Sequence, residues 1–346
     1  MWPLPVRVVH SSAPVRVADL GGWTDTWFAG SGVICSLAVQ PGASVSISAV
    51  PGGGNVVIDA VDFGDRYSLV EGRGRHPLLE AAVEEVGVAD DVDVVVQVGS
   101  PIPPGASTGT SAAVTVALVG ALVFLRDGVV DRSEVAAAAH RVEAVRLGRQ
   151  TGIQDQLAAV HGGANRIDMS SYPSATVTPL PLSPPVSDEL QRRLLLVFLG
   201  RTHVSSAVHA EVIASLEGAS PHDVDRRLEP LRQAARRGAA ALVTGDLEDY
   251  GKALVANTAA QSALHAALVS DDAWRLFDAA HSLGCAGWKV NGAGGEGGTV
   301  TLLCGPESDA RSRVVAALED VDPRFVALDT TLDRDGLRVW SSGGDP

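Results

Sequence analysis

Residues 103–125 set the tightest limit on what this chain can fold into. Pro103-Pro104-Gly105-Ala106-Ser107-Thr108-Gly109-Thr110-Ser111 is a loop of small residues, and it runs straight into residues 112–125, which are apolar nearly all round. A helix without a polar face has to be enclosed, so the rest of the chain must wrap it. The run is too short to cross a bilayer, which takes roughly 20 residues. The loop in front has a chemistry of its own. Free N–H groups converge at a helix N-terminus, and the helix dipole favours negative charge there. The plainer reading is an ordinary cap by Thr110 or Ser111. Ser111, in the first turn, also offers a hydroxyl to a magnesium ion.

An anion site that needs no lysine matters here. The chain has 27 Lys and Arg against 41 Asp and Glu, a net charge of −14, and its only lysines are Lys252 and Lys289. The balance excludes a nucleic-acid binder, which carries a basic patch. Three cysteines, Cys35, Cys285 and Cys304, have no metal spacing and form no disulfide framework. With no basic region and apolar core at the N-terminus, the expectation is a soluble, cytoplasmic protein without a membrane partner.

The length, 346 residues, predicts two domains. Five prolines (Pro173, Pro179, Pro181, Pro184 and Pro185) mark the boundary, giving 1–178 and 179–346. Ser44-Val45-Ser46-Ile47-Ser48 alternates as a strand, and Pro51-Gly52-Gly53-Gly54 predicts a turn into a hairpin partner at 55–61. Residues 93–98 form a further strand. Asp131 opens a helix that Gly148 ends, and another helix starts near Ile153. In the second half, strands at 194–199 and 299–304 frame helices near 204–217, 222–238, 246–267 and 271–283.

A second glycine-rich segment, Gly292-Ala293-Gly294-Gly295-Glu296-Gly297-Gly298, contains G-x-G-x-x-G. A strand-like stretch follows it, so it is not a dinucleotide fingerprint. Gly298 stands where a Walker A loop needs lysine. Either it is a turn, or its backbone approaches a ligand closely. A third segment, Pro14-Val15-Arg16 with Gly21-Gly22-Trp23-Thr24-Asp25-Thr26, is unremarkable alone.

In this order the three segments resemble the GHMP kinases, the family of galactokinase, homoserine kinase and mevalonate kinase. Residues 103–113 are similar to the family's P-P-G-x-G-L-G-S-S-A-A phosphate loop. Lys289 to Gly297 are similar to K-x-x-G-A-G-G-G-G. Pro14-x-Arg16 with Gly21-Gly22-Trp23-Thr24-Asp25 is similar to the family's first motif, in the form of the fucokinase and heptose kinase branch. The chain departs from the pattern at Ser107, Thr108, Thr110 and Glu296.

The resemblance implies an α+β, two-domain fold with the active site in the cleft between the domains. It implies ATP and Mg²⁺ as cofactors and transfer of the γ-phosphate to a sugar hydroxyl, with the anomeric 1-hydroxyl favoured. A heptose 7-phosphate 1-kinase and a silent sugar and ATP sensor are the alternatives. The partners are then a small sugar and ATP, and the chain is a monomer or homodimer. ATP phosphates fall to Pro104, Gly105, Ala106, Ser107, Thr108, Gly109, Thr110 and Ser111. Asp155, in Gly152-Ile153-Gln154-Asp155-Gln156, is the implied base with Arg16 as its partner; otherwise it is a helix-end charge. Glu143 is the implied second magnesium ligand beside Ser111; otherwise it faces solvent and pairs with Arg146. Gly22, Trp23, Thr24, Asp25, Gly152, Gly294 and Gly295 fall to the sugar. Trp27 is read as core. Arg201-Thr202-His203 is a polar cluster at a strand end.

Overall fold

A computed structural model describes residues 7–202 and 207–342. Its first half holds strands β1 (Arg7–Leu20), β2 (Gly32–Pro51), β3 (Val56–Ala60), β4 (Asp65–Ser68), β5 (Val92–Gly99), β6 (Ala164–Ser171) and β7 (Ser174–Pro179). Four helices accompany them: α1 (Pro77–Val86), α2 (Thr110–Asp127), α3 (Arg132–Arg141) and α4 (Gln154–His161). The second half holds α5 (Pro184–Arg193), β8 (Leu194–Phe198), α6 (Ala207–Glu217), α7 (Pro221–Thr244), α8 (Leu247–Leu264) and α9 (Asp271–Ser282). It ends with β9 (Gly287–Val290), β10 (Thr299–Leu303), α10 (Ala310–Val321), β11 (Val326–Leu328), β12 (Thr331–Leu332) and β13 (Arg338–Ser342).

Among the described residues the strands form two sheets. The larger runs β13-β1-β2-β5-β3-β4, with β6 and β12 also on β2 and β7 on β6; the smaller runs β11-β8-β10-β9. Helix α2 is long and apolar enough to cross a membrane by composition, but it is enclosed. Residues such as Ala113, Val116, Leu118 and Leu122 are buried against the larger sheet and α1, α3 and α4.

Two sequence expectations change. Residues 55–61 do not form a hairpin with β2. Strand β5 lies between, antiparallel to β2 and parallel to β3. Its Val94, Val96 and Val98 are buried, and Asp93 accepts the N–H groups of Gly53 and Asn55 and so fixes the glycine turn. The proline-rich stretch does separate the two sheets, carrying β7 and the first turn of α5, but residues 331–342 return to the larger sheet. Both ends of the described chain therefore belong to it.

Candidate active site

Five elements converge where the two sheets approach. Strand β1 carries Arg16 and Asp19, and the turn after it carries residues 21–31. The N-terminus of α2, the N-terminus of α4 and the loop between β9 and β10 complete the group.

Arg16 is nearly buried, and its guanidinium donates to Asp155 at two points, Nε to Oδ1 at 2.8 Å and Nη2 to Oδ2 at 3.3 Å. Nη1 donates to the Ser107 carbonyl at 2.5 Å, and the Arg16 N–H donates to the Thr108 carbonyl. Burial opposes the charge on Arg16, but Asp155 and Asp19 outweigh it and raise its pKa. Asp155 stands in the first turn of α4 and keeps a quarter of its side chain exposed. A methyl group on Gly109 would lie 3.1 Å from its carboxyl group, so the base candidate sits against the cap of α2.

The phosphate-loop candidates form one curled segment. Gly105, Ser107 and Gly109 all take positive φ, and such alternation turns successive N–H groups to one side. The carbonyls point into the protein: Ala106 accepts from the Thr299 hydroxyl, Ser107 from Arg16 and Thr108 from the Arg16 N–H. Gly109 is the N-cap, and no side chain caps α2. The reading of Thr110 or Ser111 as an ordinary cap is therefore excluded, and the first-turn donors are left for a ligand.

Ser111 Oγ donates to Glu143 Oε2 at 3.3 Å. Glu143 is 4% exposed, so it is no solvent-facing partner of Arg146, which binds Glu85 instead. A π-helical turn at Val142–Arg146 turns Glu143 inward, a device often found at functional sites. Gln156 Nε2 holds its other oxygen at 3.2 Å. Burial, and then the charge of Asp155, push Glu143 up to about 6. Two oxygens this close, one of them on a buried carboxylate, suit Mg²⁺, which takes few protein ligands and keeps its waters.

Asp25 is 2% exposed, and its Oδ2 accepts the Gln154 N–H at 3.0 Å. Burial is the main cause that pushes it up to about 6, with the like charge of Asp155 adding to it. Asp25 and Asp155 share a cavity with Trp23, Trp27, Phe28, Gln150, Thr151, His209 and Ala293. Trp23 takes φ +79, a strained backbone for a bulky residue. Its indole N–H donates to the Ala293 carbonyl at 3.3 Å, and its ring meets His209 edge-on. Trp27 is half-buried on the cavity wall and donates to Glu217, so it is not simply core. Buried Arg232 holds this loop by the carbonyls of Ala29 and Ser31.

Five sugar candidates stand elsewhere or do other work. The Thr24 hydroxyl donates to the Gly21 carbonyl and accepts the Val33 N–H, closing the turn in full burial. Gly22 faces Asp19. Gly152 lines the cavity, and a methyl group there would fall 2.0 Å from Asp25 Oδ2, so it also makes room for that carboxylate. Gly294 and Gly295 press on Leu268, where a Gly294 methyl would meet the carbonyl at 2.2 Å and the Gly295 N–H donates to it. Arg201 lies beside Glu296 at another surface cavity, and His203 is outside the described residues.

Sequence reasoning missed Asp19. Fully buried, it accepts from Lys289 Nζ and from the Gly292 N–H, both at 3.1 Å, and so ties β1 to the second glycine loop. Lys289 is thus a structural cation, its pKa pulled down by burial against the pull of Asp19. Missed too was a second cavity, opening on Gly105, Thr110 and Ser111, with Phe63, Leu79, Ile102 and Val114 in its walls. No local pattern marks either feature.

Residues 77–163 match the model of the GHMP kinases N terminal domain. That stretch of the chain is similar to the GHMP kinases N terminal domain. It is 24% identical over 317 residues to the bifunctional fucokinase/GDP-fucose pyrophosphorylase of Arabidopsis thaliana, 84% of this chain but 29% of that one. It is 26% identical over 270 residues to the mevalonate kinase of Pyrococcus horikoshii, 75% of this chain and 72% of the relative. The crystal structure of a D-glycero-D-manno-heptose 1-phosphate kinase from Bacteroides thetaiotaomicron superposes with a TM-score of 0.73 at 21% identity, covering 96% of this chain and 98% of that one. The chain shares the fold of that kinase structure over nearly its whole length. The matched residues include α1, α2, α3 and α4, the loop at 103–109, Glu143 and Asp155.

Proposed function

We propose that this chain transfers the γ-phosphate of ATP to a hydroxyl of a neutral sugar, with the anomeric 1-hydroxyl favoured by its resemblance to the fucokinase branch. One observation carries the reading: Asp155 belongs to both halves of the site. It lines the aromatic cavity beside Asp25, and it lies against Gly109 at the open N-terminus of α2. An acceptor hydroxyl in the cavity and a phosphate on the helix meet at this carboxylate.

The α2 donors and the curled loop hold the phosphates, and the second cavity offers apolar walls for the purine. Ser111 and Glu143 are the residues that would hold Mg²⁺, which supplies charge neutralisation when bound. Asp155 accepts the hydrogen bond of the sugar hydroxyl. The hydroxyl oxygen bonds to the γ-phosphorus as the bond to the bridging oxygen of ADP breaks, and its proton passes to Asp155. Arg16 holds the Asp155 carboxylate in place at two points, so positioning carries much of the catalysis.

The charge of the cavity supports a neutral acceptor. Apart from His209, its one cationic side chain among the described residues is Arg16, which is spent on Asp155 and Ser107. Two carboxylates face the same space. An acceptor with its own phosphate or carboxylate would meet repulsion there, which sets this reading above a heptose phosphate or mevalonate. The test is ADP release with Mg-ATP across hexoses, 6-deoxyhexoses, pentoses, heptose phosphates and mevalonate. Turnover of a neutral sugar is expected. Turnover of only charged acceptors would overturn the neutral-acceptor reading, and no turnover at all would overturn the kinase reading.

A further inference from the structure

Phosphoryl transfer needs a cation near the terminal phosphates besides the metal, and the lysines cannot provide it here. Lys289 is fully buried on Asp19, and Lys252 lies on α8. Arg16 is committed to Asp155, and Arg141 and Arg146 are held by Glu85. Two arginines line the cavity that opens on the phosphate loop, Arg75 and Arg149. Arg75 is bound to Asp65 and lies over the Tyr67 ring at 4.9 Å.

Arg149 is placed differently. Its N–H donates to the Glu143 carbonyl at 3.0 Å, so its backbone is fixed to the π-helical turn. Its side chain is 46% exposed, and Nη1 stands 3.8 Å from Glu143 Oε2, beyond hydrogen-bond distance. That same oxygen accepts from Ser111. The guanidinium therefore leans on one of the two oxygens suited to the metal, on the wall that holds Thr110 and Ser111.

Resting on the kinase reading above, we propose that Arg149 is the cation that contacts the terminal phosphate oxygens of the bound nucleotide, reaching them from Glu143. With Mg²⁺ held by Ser111 and Glu143, that carboxylate would no longer need Arg149 as its counter-charge, and the guanidinium would be free to turn away. The nearest anions are then the phosphates on α2. A guanidinium suits them, because its planar fork bonds two phosphate oxygens at once. In the transfer step Arg149 donates to equatorial oxygens of the moving phosphoryl group and takes no proton.

The test measures binding of the non-hydrolysable ATP analogue AMP-PNP and of ADP, each with Mg²⁺, by calorimetry on the parent, Arg149→Met and Arg149→Lys. For Arg149→Met we expect AMP-PNP to weaken by about tenfold and ADP to hold within about twofold. The same variant should lose about 100-fold in kcat, as for one removed transition-state donor, with partial recovery in Arg149→Lys. Thermal melting checks that these variants at an exposed side chain are folded. Equal weakening of both nucleotides, with a raised Mg²⁺ requirement, would mean that Arg149 only supports Glu143 and would overturn the proposal. So would unchanged binding. If the parent binds neither nucleotide, the kinase reading falls and takes this role with it. If the parent binds and turns over and Arg149→Met matches it, only the role of Arg149 falls.

Discussion

Arg16 on β1 and Asp155 on α4 are 139 residues apart in sequence and meet in a two-point ion pair whose arginine also carries the Ser107 carbonyl. The pair therefore fixes the base candidate and the phosphate loop relative to each other. Asp155→Asn keeps the shape and removes the charge. We expect kcat to fall by about 100-fold or more, with the sugar KM moving much less, as read by coupled ADP release. A kcat within tenfold of the parent would remove Asp155 from the chemistry.

Ser111→Ala and Glu143→Gln should each raise the Mg²⁺ concentration that gives half-maximal rate. Glu143→Gln should have the larger effect, about tenfold or more, because it removes a charge and not only a donor atom. Mg²⁺ titrations at saturating ATP and sugar measure this. Unchanged titration curves in both variants would place the ion elsewhere.

Gly152→Ala introduces a methyl group 2.0 Å from Asp25 Oδ2. Gly152 has no positive φ, so the effect is one of space and not of backbone strain. Asp25 must move, and a displacement near 1 Å costs about 100-fold in kcat/KM for the sugar. Nucleotide binding, measured separately, should be unaffected.

Asp25 and Glu143, both raised to about 6, give opposite signs for activity and stability. Activity needs both ionised, so kcat/KM should rise between pH 5 and pH 7 and lose part of that rise in Asp25→Asn. Stability runs the other way. The folded state holds a proton on Asp25 that the unfolded chain has already released above its lower pKa of 3.8. This contribution is full below the unfolded value and is lost as pH rises through about 6. Asp25→Asn should therefore be the more stable protein at pH 7.5, by about 2 kcal/mol, with little difference at pH 4. Urea unfolding at the two pH values decides it.

The Asp19 and Lys289 pair is fully buried on both sides. Lys289→Met leaves a buried carboxylate without its main counter-charge and should cost about 3–5 kcal/mol. Adding Asp19→Asn should return part of the loss. Denaturant unfolding of the single and double variants tests this, and additive losses would contradict the coupling.

The sequence was most readable where chemistry is local. The enclosed helix, the small-residue loop and the Asp131 cap (accepting from the N–H groups of Ser133 and Glu134) all follow from short-range rules. The site was less readable where a side chain's partner is distant. Thr24 reads like a polar residue for a sugar, yet its hydroxyl is taken by Gly21 and Val33. Glu143 reads like a surface residue of a helix, and a one-residue widening of that helix turns it inward. Lys289 matches the lysine of the family's third motif, but nothing near it in sequence announces its partner Asp19. Strand order was hidden for the same reason: Val57 pairs with Val95 and not with β2, because β5, far on in the chain beyond α1, lies between.

Strand β1 is hydrogen-bonded to β13, and Ser12 stands opposite Arg338, 326 residues away. During synthesis the outer edge of β1 therefore stays uncovered until β13, 326 residues further on, has emerged. A fragment ending near residue 178 would leave the edge of β1 bare, a template for pairing between copies. Such a fragment should collect as aggregate, and a separately supplied segment carrying β12 and β13 should rescue it.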